Sequence, residues 1–330
     1  MTMGPERIRR QKSLRFLLQE FALRPSDVVL PLFINDLPAG SSRDITSMPG
    51  VRQWTVDDVR PFAARAVEAG VRSFILFGIV GKNTKTASGE AAWDREGPVV
   101  RALRAFRKDF GTEVNLFADA CFCEYTNHGH CGPITISGLE SRREHAETLV
   151  GLGKMSTEYA EAGANVVAPS GMVDGMVRHI RGALDAEGHP DVAICSYSVK
   201  LASSFYGPFR DAAENAPEFG DRRGYQMDPG SLREATREIM NDEAEGADML
   251  LIKPGMPCLD LIRLAREKSA LPVGAYQVSG EYSMLKAAAQ AGYLNEEASF
   301  LESLLAMKRA GAGFIITYWA MEALAALRKV

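Results

Sequence analysis

Three of the five cysteines in this 330-residue chain lie close together, at Cys121, Cys123 and Cys131. In an extended chain the first two point the same way, and the loop that follows can bring Cys131 back to meet them. Thiolates suit Zn²⁺, and three protein ligands leave a fourth position for water or substrate, which is typical of a catalytic site. Two other interpretations stay open: buried thiols without a metal, and a closed structural site with His128 or His130 as fourth ligand.

Two lysines follow apolar runs that are typical of strands. Lys253 ends the run that begins at Met249, and Lys200 comes shortly after the run 192–198. Burial disfavours the charged form of an amine, and two neighbouring ammonium groups repel each other, so either lysine could be neutral and nucleophilic near neutral pH. A single lysine in such a place is usually a snorkelling or ion-paired side chain. Two of them near a thiol cluster favour attack on a carbonyl group.

Other side chains could bind carboxylates. Arg210 and Arg222 lie in a long loop, and the arginine fork binds a carboxylate in bidentate fashion. Ser279 and Tyr318 lie at the ends of two later apolar runs, where their hydroxyls could receive a second carboxylate. A solvated loop arginine or a core hydroxyl is the alternative for each residue taken alone. Together with the amines and thiols, these groups indicate Schiff-base chemistry on an acidic carbonyl compound.

The elements that must position these groups are eight short apolar runs rich in β-branched residues, separated by segments with helical periodicity. Such alternation predicts parallel strands joined by helices. Eight units predict an α/β TIM (β/α)8 barrel, whose active site lies at the carboxyl ends of the strands. A doubly wound open sheet is the alternative, but no glycine-rich phosphate loop follows the first run. The predicted strands are 28–34, 73–79, 114–121, 164–170, 192–198, 249–255, 273–279 and 314–319.

The longest connection, at about 199–230, joins the fifth strand to its helix. Long loops in compact domains are usually functional, and this one is placed to act as a lid over the barrel mouth. The predicted organisation is an N-terminal arm at 1–24 and a catalytic barrel at 25–330. The basic start of the arm resembles a transit peptide, but Glu6 and Glu20 argue against that reading because such peptides avoid acids. We expect the arm to pack on a neighbouring subunit.

Composition excludes several classes of function. Apolar residues make up 46% and charged residues 24%, as in an ordinary globular protein. With a net charge of -4 and no run of basic residues, nucleic acid is not an expected partner. The sequence has neither an apolar stretch approaching the roughly 20 residues that span a bilayer nor the apolar core of a secretory signal. We expect a cytoplasmic protein with no membrane partner and no disulfide scaffold.

These motifs resemble those of the porphobilinogen synthases along nearly the whole chain. The run CFCEYTNHGHCG at 121–132 is similar to the zinc-binding stretch of the zinc-dependent branch, and members without that zinc carry aspartates there. The segments 198–210 and 253–255 resemble the two lysine motifs of the family, and 47–51 and 278–282 are further matches.

The resemblance implies a role for each of these groups. Lys253 would form a Schiff base with one 5-aminolevulinate molecule and Lys200 with a second, and the product would be porphobilinogen after loss of two waters. Zn²⁺ on the three cysteines would polarise the carbonyl or bind the amino group of the second substrate. Asp119 and Ser170 would lie beside the lysines, with Asp119 shuttling protons. The implied substrate contacts are Ser279 and Tyr318 for the first carboxylate, Arg210, Arg222 and Gln226 for the second, and also Tyr206 and Tyr276.

The resemblance also implies assembly and regulation. The family forms homo-octamers through N-terminal arms, and many members bind an allosteric Mg²⁺ through a glutamate that matches Glu238. This chain departs from the family pattern at Gly171 and Met176, where aspartate and arginine are common, and at Val80, where proline is common. None of these positions is a lysine or thiol of the site, so the departures bear on regulation rather than catalysis.

Two other functions compete with this one. A lysine-class aldolase would explain Lys253 but not three thiols, so a stoichiometric zinc needed for turnover argues against it. A non-enzymatic oligomeric scaffold predicts that chemical groups have been lost, whereas every expected lysine, cysteine and arginine is in place.

Overall fold

Eight parallel strands close into a barrel in the computed structural model, which describes residues 6–137 and 140–329. Neighbouring barrel strands follow chain order, and the last pairs with the first, with Val28 opposite Ile315. The predicted TIM barrel is confirmed, and the open doubly wound sheet is wrong. In chain order the strands are β1 (Val28–Asn35), β2 (Arg43–Asp44), β3 (Arg52–Thr55), β4 (Ser73–Ile79), β5 (Asn115–Ala120), β6 (Ile134–Ser137), β7 (Glu140–Arg143), β8 (Val166–Pro169), β9 (Ala193–Lys200), β10 (Met249–Lys253), β11 (Val273–Tyr276) and β12 (Phe314–Ile316).

Every predicted run forms one of the barrel strands, which are β1, β4, β5 and β8 to β12. Strands β1 and β4 are buried along their whole length, because one face fills the barrel interior and the other packs against helices. The predicted run 314–319 extends past the end of β12 at Ile316. Its last residues, Tyr318 and Trp319, are buried but do not pair with a neighbouring strand. An apolar sequence pattern does not distinguish a buried residue in a strand from a buried residue outside one.

Helices surround the barrel, as the periodic segments predict. One of these periodic segments, 171–188, becomes helical only from Met176, because Gly175 adopts a left-handed conformation immediately before Met176. In chain order the helices are α1 (Glu6–Arg9), α2 (Lys12–Leu17), α3 (Val56–Glu68), α4 (Pro98–Phe110), α5 (His145–Glu161), α6 (Met176–Ala186), α7 (Gly207–Ala212), α8 (Leu232–Glu245), α9 (Leu259–Lys268), α10 (Ser279–Gln290), α11 (Glu296–Ala310) and α12 (Ala320–Leu327). No helix among the described residues is long and apolar enough to cross a membrane.

The N-terminal segment lies on the outside of the barrel, where Phe16 borders a recess formed with α11 and α12. Helices α1 and α2 contain no buried residue, and Phe16, Leu17 and Leu18 are exposed. Residues 1–5 of the predicted arm lie outside the described residues. A run of exposed apolar side chains is typical of a segment that contacts another chain.

The long connection after β9 lies over the carboxyl ends of the strands, beside Lys253 and Ser279. We call residues 199–230 the lid; they include α7, and main-chain hydrogen bonds anchor them to the barrel. Leu201 N–H donates to Lys253 O at 3.0 Å, and Met227 N–H donates to Lys200 O at 3.1 Å. The lid is therefore joined at its base to the two strands that end in lysine.

Candidate active site

Lys200 ends β9 and Lys253 ends β10, and the two residues pair across the parallel ladder. Only 4% and 5% of their respective surfaces are exposed. Both lie at the carboxyl end of the barrel, where active sites of this fold are found. The structure thus brings the two predicted nucleophiles side by side in a buried setting.

The amine of Lys253 is enclosed by aromatic rings. Burial, and next the charge of Lys200, lower the pKa of Lys253 to about 7. An amine with this pKa is largely neutral just above neutral pH, so it can attack a carbonyl carbon. The ring centres around Nζ are those of Tyr276 at 4.6 Å, Phe209 at 4.8 Å, Tyr206 at 5.0 Å and Tyr197 at 5.4 Å.

Lys200 has a different environment. Its Nζ donates to the main-chain oxygen of Ser170 at 2.5 Å and lies 5.6 Å from the Tyr197 ring centre. Burial alone would lower the pKa of Lys200, but the negative charge of the cysteine cluster, that of the Cys131 thiolate first, outweighs burial and raises the pKa. The pKa values of the two neighbouring lysines are therefore shifted in opposite directions, and Lys253 is the better nucleophile near neutral pH.

Asp119 and Ser170 lie beside the lysines. Asp119 is in β5, and its Oδ2 accepts a hydrogen bond from Ser170 Oγ at 3.0 Å, while its buried Oδ1 has no partner. Burial, and next the charge of Glu124, raise the pKa of Asp119 to about 7. A carboxyl group that titrates near neutral pH can both accept and return a proton, as the expected proton shuttle requires.

A bulge in β9 explains how Tyr197 and Lys200 come to share one cavity. Strict alternation would place residues three apart on opposite faces of a strand. The pairing of β9 with β10 shifts register between Ser196, which faces Leu250, and Val199, which faces Ile252, so β9 holds one extra residue there. Such bulges re-aim side chains near active sites. Tyr197 is completely buried beneath the two lysines, and its hydroxyl has no partner.

The three predicted thiols converge. The ligand atoms of Cys121, Cys123 and Cys131 all lie within 4.8 Å of one another, and the first two sulfurs are 3.3 Å apart. Tetrahedral zinc with Zn–S distances of about 2.3 Å requires sulfurs about 3.8 Å apart, so one metal ion fits among them. All three residues are buried free cysteines. The sulfurs form an open three-thiolate site next to the lysine cavity.

Neither histidine of the motif belongs to this cluster. His128 Nε2 lies 3.1 Å from Ala87 O, and His130 places one ring nitrogen 3.1 Å from Tyr225 OH and the other 3.1 Å from Phe219 O. Because both rings are engaged in these contacts, the closed structural site with a histidine as fourth ligand loses its support.

Glu124 and Asn215 are two members of the site that the sequence did not single out. Glu124 is buried, and its carboxylate lies 3.1 Å from Cys123 Sγ. Asn215, from the lid, donates through Nδ2 to Cys123 Sγ at 3.2 Å and to Glu124 Oε1 at 2.9 Å. Glu124 could have been suspected from its place between the cysteines, but nothing in the local sequence marks Asn215.

The lid carries the predicted carboxylate binders to the cavity. Arg222 is buried and donates to Gly129 O at 2.8 Å and to Asn215 O at 2.6 Å. Burial, and next the charge of Arg222, lower the pKa of Arg210. Neither arginine has an ion pair with a carboxylate among the described residues, so both guanidinium groups could bind the carboxylate of an incoming anion. Gln226 is buried close by, with its Nε2 unpartnered.

The hydroxyl groups at the ends of the last strands are buried as well. Tyr276 and Tyr318 place their hydroxyls 2.9 Å apart, and Tyr206 OH donates to Lys253 O at 3.2 Å. Ser279 begins α10, and its Oγ accepts a hydrogen bond from Phe209 N–H of the lid at 2.9 Å. Ser279 therefore holds the lid against the start of α10.

A narrow enclosed space lies between the two lysines and the lid, and Asp119, Cys123, Glu124, Ser170, Arg210 and Arg222 are among the residues that line it. Polar atoms without hydrogen-bond partners are concentrated around it, although buried polar groups are normally paired. Unpaired buried atoms in one place indicate that a polar ligand belongs there. They are Asp119 Oδ1, Tyr197 OH, Arg210 Nε, Asn215 Oδ1, Arg222 Nε and Gln226 Nε2.

Glu238 lies outside this cavity, on α8. It lines a separate acidic recess with Asp174, Glu234, Asp242 and Glu245. Burial, and next the charge of Asp242, raise the pKa of Glu238 to about 7. Mutual repulsion among these carboxylates would be relieved by a cation or by protonation.

Comparison with known proteins agrees with this geometry. The family model for delta-aminolevulinic acid dehydratase matches residues 3–326. A delta-aminolevulinic acid dehydratase from Synechococcus elongatus is 47% identical over 323 residues, which cover 98% of this chain and 98% of that protein. One from Archaeoglobus fulgidus is 46% identical over 313 residues, covering 95% of this chain and 94% of that protein.

A solved structure gives the same result in three dimensions. The crystal structure of delta-aminolevulinic acid dehydratase (porphobilinogen synthase) from Toxoplasma gondii, in complex with the reaction product porphobilinogen, matches with a TM-score of 0.95 at 41% identity. The match covers 100% of this chain and 93% of that one. Similarity of this extent in sequence and structure establishes that the chain belongs to the delta-aminolevulinic acid dehydratase family.

Proposed function

We propose that this protein condenses two molecules of 5-aminolevulinate into porphobilinogen with loss of two waters, a hydro-lyase reaction early in tetrapyrrole biosynthesis. Family membership over almost the whole chain supports the reaction. The observation that carries the mechanism is the pair of buried, adjacent lysines, Lys200 and Lys253, beside three converging thiols.

Lys253 forms the first Schiff base. Its neutral amine attacks the ketone carbon of one substrate, the carbonyl oxygen leaves as water, and a carbon–nitrogen double bond to Nζ remains. The lowered pKa of Lys253 and the aromatic enclosure support this role, because they favour the neutral amine and exclude bulk water. Tyr206 borders the same space, and its hydroxyl holds the main chain at Lys253.

The carboxylate of this first substrate binds the hydroxyls of Ser279 and Tyr318, with Tyr276 beside them. The contact of Ser279 Oγ with Phe205 O is long, at 3.4 Å, so the hydroxyl proton can turn to a carboxylate. Tyr276 and Tyr318 share one hydrogen bond, which leaves a hydroxyl proton of this pair free to donate. The site so formed is neutral and binds by hydrogen bonds.

Lys200 forms the second Schiff base, and the lid holds the second substrate. Arg210, Arg222 and Gln226 each present an unpartnered nitrogen, which supports their role as donors to a carboxylate. A charged clamp on a movable loop would close when the acidic substrate arrives. The two substrates would then lie on adjacent lysines, close enough for carbon–carbon and carbon–nitrogen bonds to form between them.

Asp119 moves protons between the two reaction centres, and Ser170 orients it. The hydrogen bond from Ser170 fixes one carboxyl oxygen, while the free Oδ1 remains for substrate. The pKa of Asp119, near 7, suits a group that must both take up and release a proton during loss of water.

The family depends on a metal, and the three thiols can hold one. We propose that Cys121, Cys123 and Cys131 hold Zn²⁺, since three soft sulfur ligands favour zinc over the hard cations. When bound there, Zn²⁺ supplies a Lewis acid for the carbonyl or amino group of the second substrate. Arg222 and Lys200 lie close enough to offset the negative charge of the thiolates.

Assembly and regulation complete the proposal. Residues 1–24 form an arm that packs on neighbouring subunits of a homo-octamer, and residues 25–330 form the catalytic barrel; the exposed Phe16, Leu17 and Leu18 support the arm. Glu238 binds an allosteric Mg²⁺, supported by the acidic recess around it. Five free cysteines are consistent with a cytoplasmic location.

Isotope-labelled substrate tests the reaction directly. We expect the zinc-loaded, reduced protein to convert ¹³C-labelled 5-aminolevulinate into a pyrrole whose NMR signals show carbon from two substrate molecules. Labelled substrate that stays unchanged after prolonged incubation with this protein would overturn the proposed function.

A further inference from the structure

We propose that Asn215 is a positioning residue that couples closure of the lid to metal binding at the thiols. This inference rests on the proposed metal site and goes beyond it, because it assigns a thermodynamic link between the metal and a loop that supplies no metal ligand. The link is one hydrogen bond, from Asn215 Nδ2 to Cys123 Sγ.

The hydrogen bond crosses from the lid to the metal motif. Asn215 is only 1% exposed, and its Nδ2 lies 3.2 Å from Cys123 Sγ and 2.9 Å from Glu124 Oε1. An amide N–H that points at a ligand sulfur fixes the position of that sulfur and can go on donating to it when a metal is bound. Removing a residue that orients a metal ligand in this way commonly weakens metal binding.

The backbone before Asn215 is held in an unfavourable conformation. Glu214 has a φ of 51°, one of two positive values among the non-glycine residues that the structure describes. Lys85 Nζ donates to Glu214 O at 2.6 Å, and Arg43 and Gln53 hold the Glu214 carboxylate. Strain of this kind persists only where surrounding contacts fix it, and here it aims the next side chain at the thiols.

The same residue connects the metal motif to the second carboxylate site. The main-chain oxygen of Asn215 accepts a hydrogen bond from Arg222 Nη2 at 2.6 Å, and Arg222 also donates to Gly129 O within the cysteine loop. The lid, the loop between Cys123 and Cys131, and the guanidinium group of Arg222 thus meet at Asn215. Opening the lid would break the contact of Asn215 with Cys123 and, at the same time, that of Arg222 with Gly129 O.

Linkage then fixes the direction of the effect. If Asn215 donates to Cys123 only when the lid is closed, closure strengthens metal binding, and metal binding favours closure by the same factor. Losing such a hydrogen bond to a metal ligand typically weakens metal affinity by about 10- to 100-fold. The lid of the metal-free protein would consequently open more often than that of the loaded protein.

Three variants separate this role from general loosening of the lid. Asn215→Ala removes the donor, and Asn215→Leu removes it while keeping the side-chain volume. Ser47→Ala is the matched control: Ser47 Oγ donates to Asp211 Oδ2 of the lid at 2.6 Å and has no contact with the thiols. Each variant is prepared reduced and metal-free in its assembled form.

The first measurement is zinc affinity by competition with a chromogenic chelator, together with the thiolate charge-transfer band after Co²⁺ loading. We expect both Asn215 variants to bind zinc about 10- to 100-fold more weakly and to shift the Co²⁺ band. Ser47→Ala should keep the Co²⁺ band and lose far less zinc affinity, because it loosens the lid without removing the donor to Cys123. Equal affinity and an unmoved band in Asn215→Leu would overturn the inference. If the unchanged protein itself took up no zinc at these thiols, the proposed metal site would fail instead.

The second measurement is tryptic cleavage after the exposed Arg223 in the lid, followed by mass spectrometry. Zinc should slow this cleavage in the unchanged protein and in Ser47→Ala, but no longer in Asn215→Ala. Ser47→Ala should be cut faster than the unchanged protein whether or not zinc is present. Zinc protection that persists undiminished in both Asn215 variants would contradict the coupling.

Discussion

Lys200 and Lys253 are register partners on adjacent strands, and their amines lie 5.6 and 5.4 Å from the centre of the same ring, Tyr197. Two ammonium groups could not both be stable in this place without nearby negative charge. The thiols supply that charge to Lys200, while Lys253 lies among aromatic rings and has its pKa lowered. One pair of neighbouring residues thus offers two amines of different reactivity.

Lys253→Met should abolish turnover while leaving the fold intact, because methionine replaces a buried amine with an apolar chain of similar length. We expect activity to fall by at least about 1,000-fold, as is usual when a covalent nucleophile is lost. The check is borohydride reduction in the presence of 5-aminolevulinate, followed by mass spectrometry: the Lys253 adduct should be missing. Lys82→Met, at an exposed lysine near the barrel mouth, is the control and should keep the adduct. Appreciable product from Lys253→Met would contradict a mechanism that requires a Schiff base on Lys253.

Formation of the first Schiff base should become faster as pH rises through about 7, because deprotonation of Lys253 yields the nucleophile. In Lys200→Met one positive charge is removed, so the pKa of Lys253 should rise. The part of the pH–rate curve in which the rate increases should then move to higher pH. Burial remains, so the midpoint should stay below the ordinary lysine value of 10.5. The rate is measured by quenching reactions at each pH into one common borohydride buffer. If the rate of Lys200→Met increased over the same pH range as that of the unchanged protein, the two amines would not be electrostatically coupled.

Arg210→Ala should raise the substrate concentration needed for half-maximal rate by roughly 10- to 100-fold, the worth of a hydrogen bond to a charged group. Arg222→Ala should raise it as well, and should also loosen the lid, because Arg222 holds Gly129 O and Asn215 O. Steady-state kinetics and thermal unfolding of both variants check this distinction. Arg223→Ala, at a neighbouring exposed arginine, should leave saturation unchanged. A saturation curve unaffected in both Arg210 and Arg222 variants would refute the clamp.

Glu281→Ala should lower both thermal stability and turnover. The Glu281 carboxylate is fully buried and accepts main-chain N–H groups from Gly255, Met256 and Val278, at 3.1, 2.6 and 2.7 Å. Each donor left unsatisfied costs about 1–3 kcal/mol, and two of them belong to the loop directly after Lys253. Thermal unfolding and kinetics check this, with the exposed Glu302→Ala as control. A stable variant with full activity would mean that this loop needs no such support.

Much of the fold could be predicted from the sequence because strands buried on both faces appear as continuous apolar runs. Each of the eight barrel strands overlaps a predicted run, although β1 and β9 extend one and two residues past theirs, and both lysines occupy strand ends. The cysteines could be grouped because they are close in sequence. The prediction located the barrel mouth and most of the groups that line it.

The rest of the site depends on tertiary contacts that local sequence does not encode. Asn215 is 92 positions from Cys123, and its contact requires the folded path of the lid. Tyr197 faces the cavity only because a bulge interrupts the alternation of β9. Ser279, expected only as a carboxylate binder, also fastens the lid through Phe209. The register shift in β9 and the folded path of the lid decide where these side chains point, and neither feature can be predicted from a local sequence pattern.

Pyrrole formation under control of zinc tests the central claim most directly. The protein is incubated with 5-aminolevulinate, and the product is detected as the colour given by an aldehyde reagent for pyrroles, before chelation, after chelation and after zinc is restored. We predict colour that disappears with the chelator and returns with zinc, which would establish both the condensation and the role of the three thiols. Absence of colour even with added zinc and thiol reductant would contradict the proposed reaction, and colour that is indifferent to the chelator would contradict the zinc site.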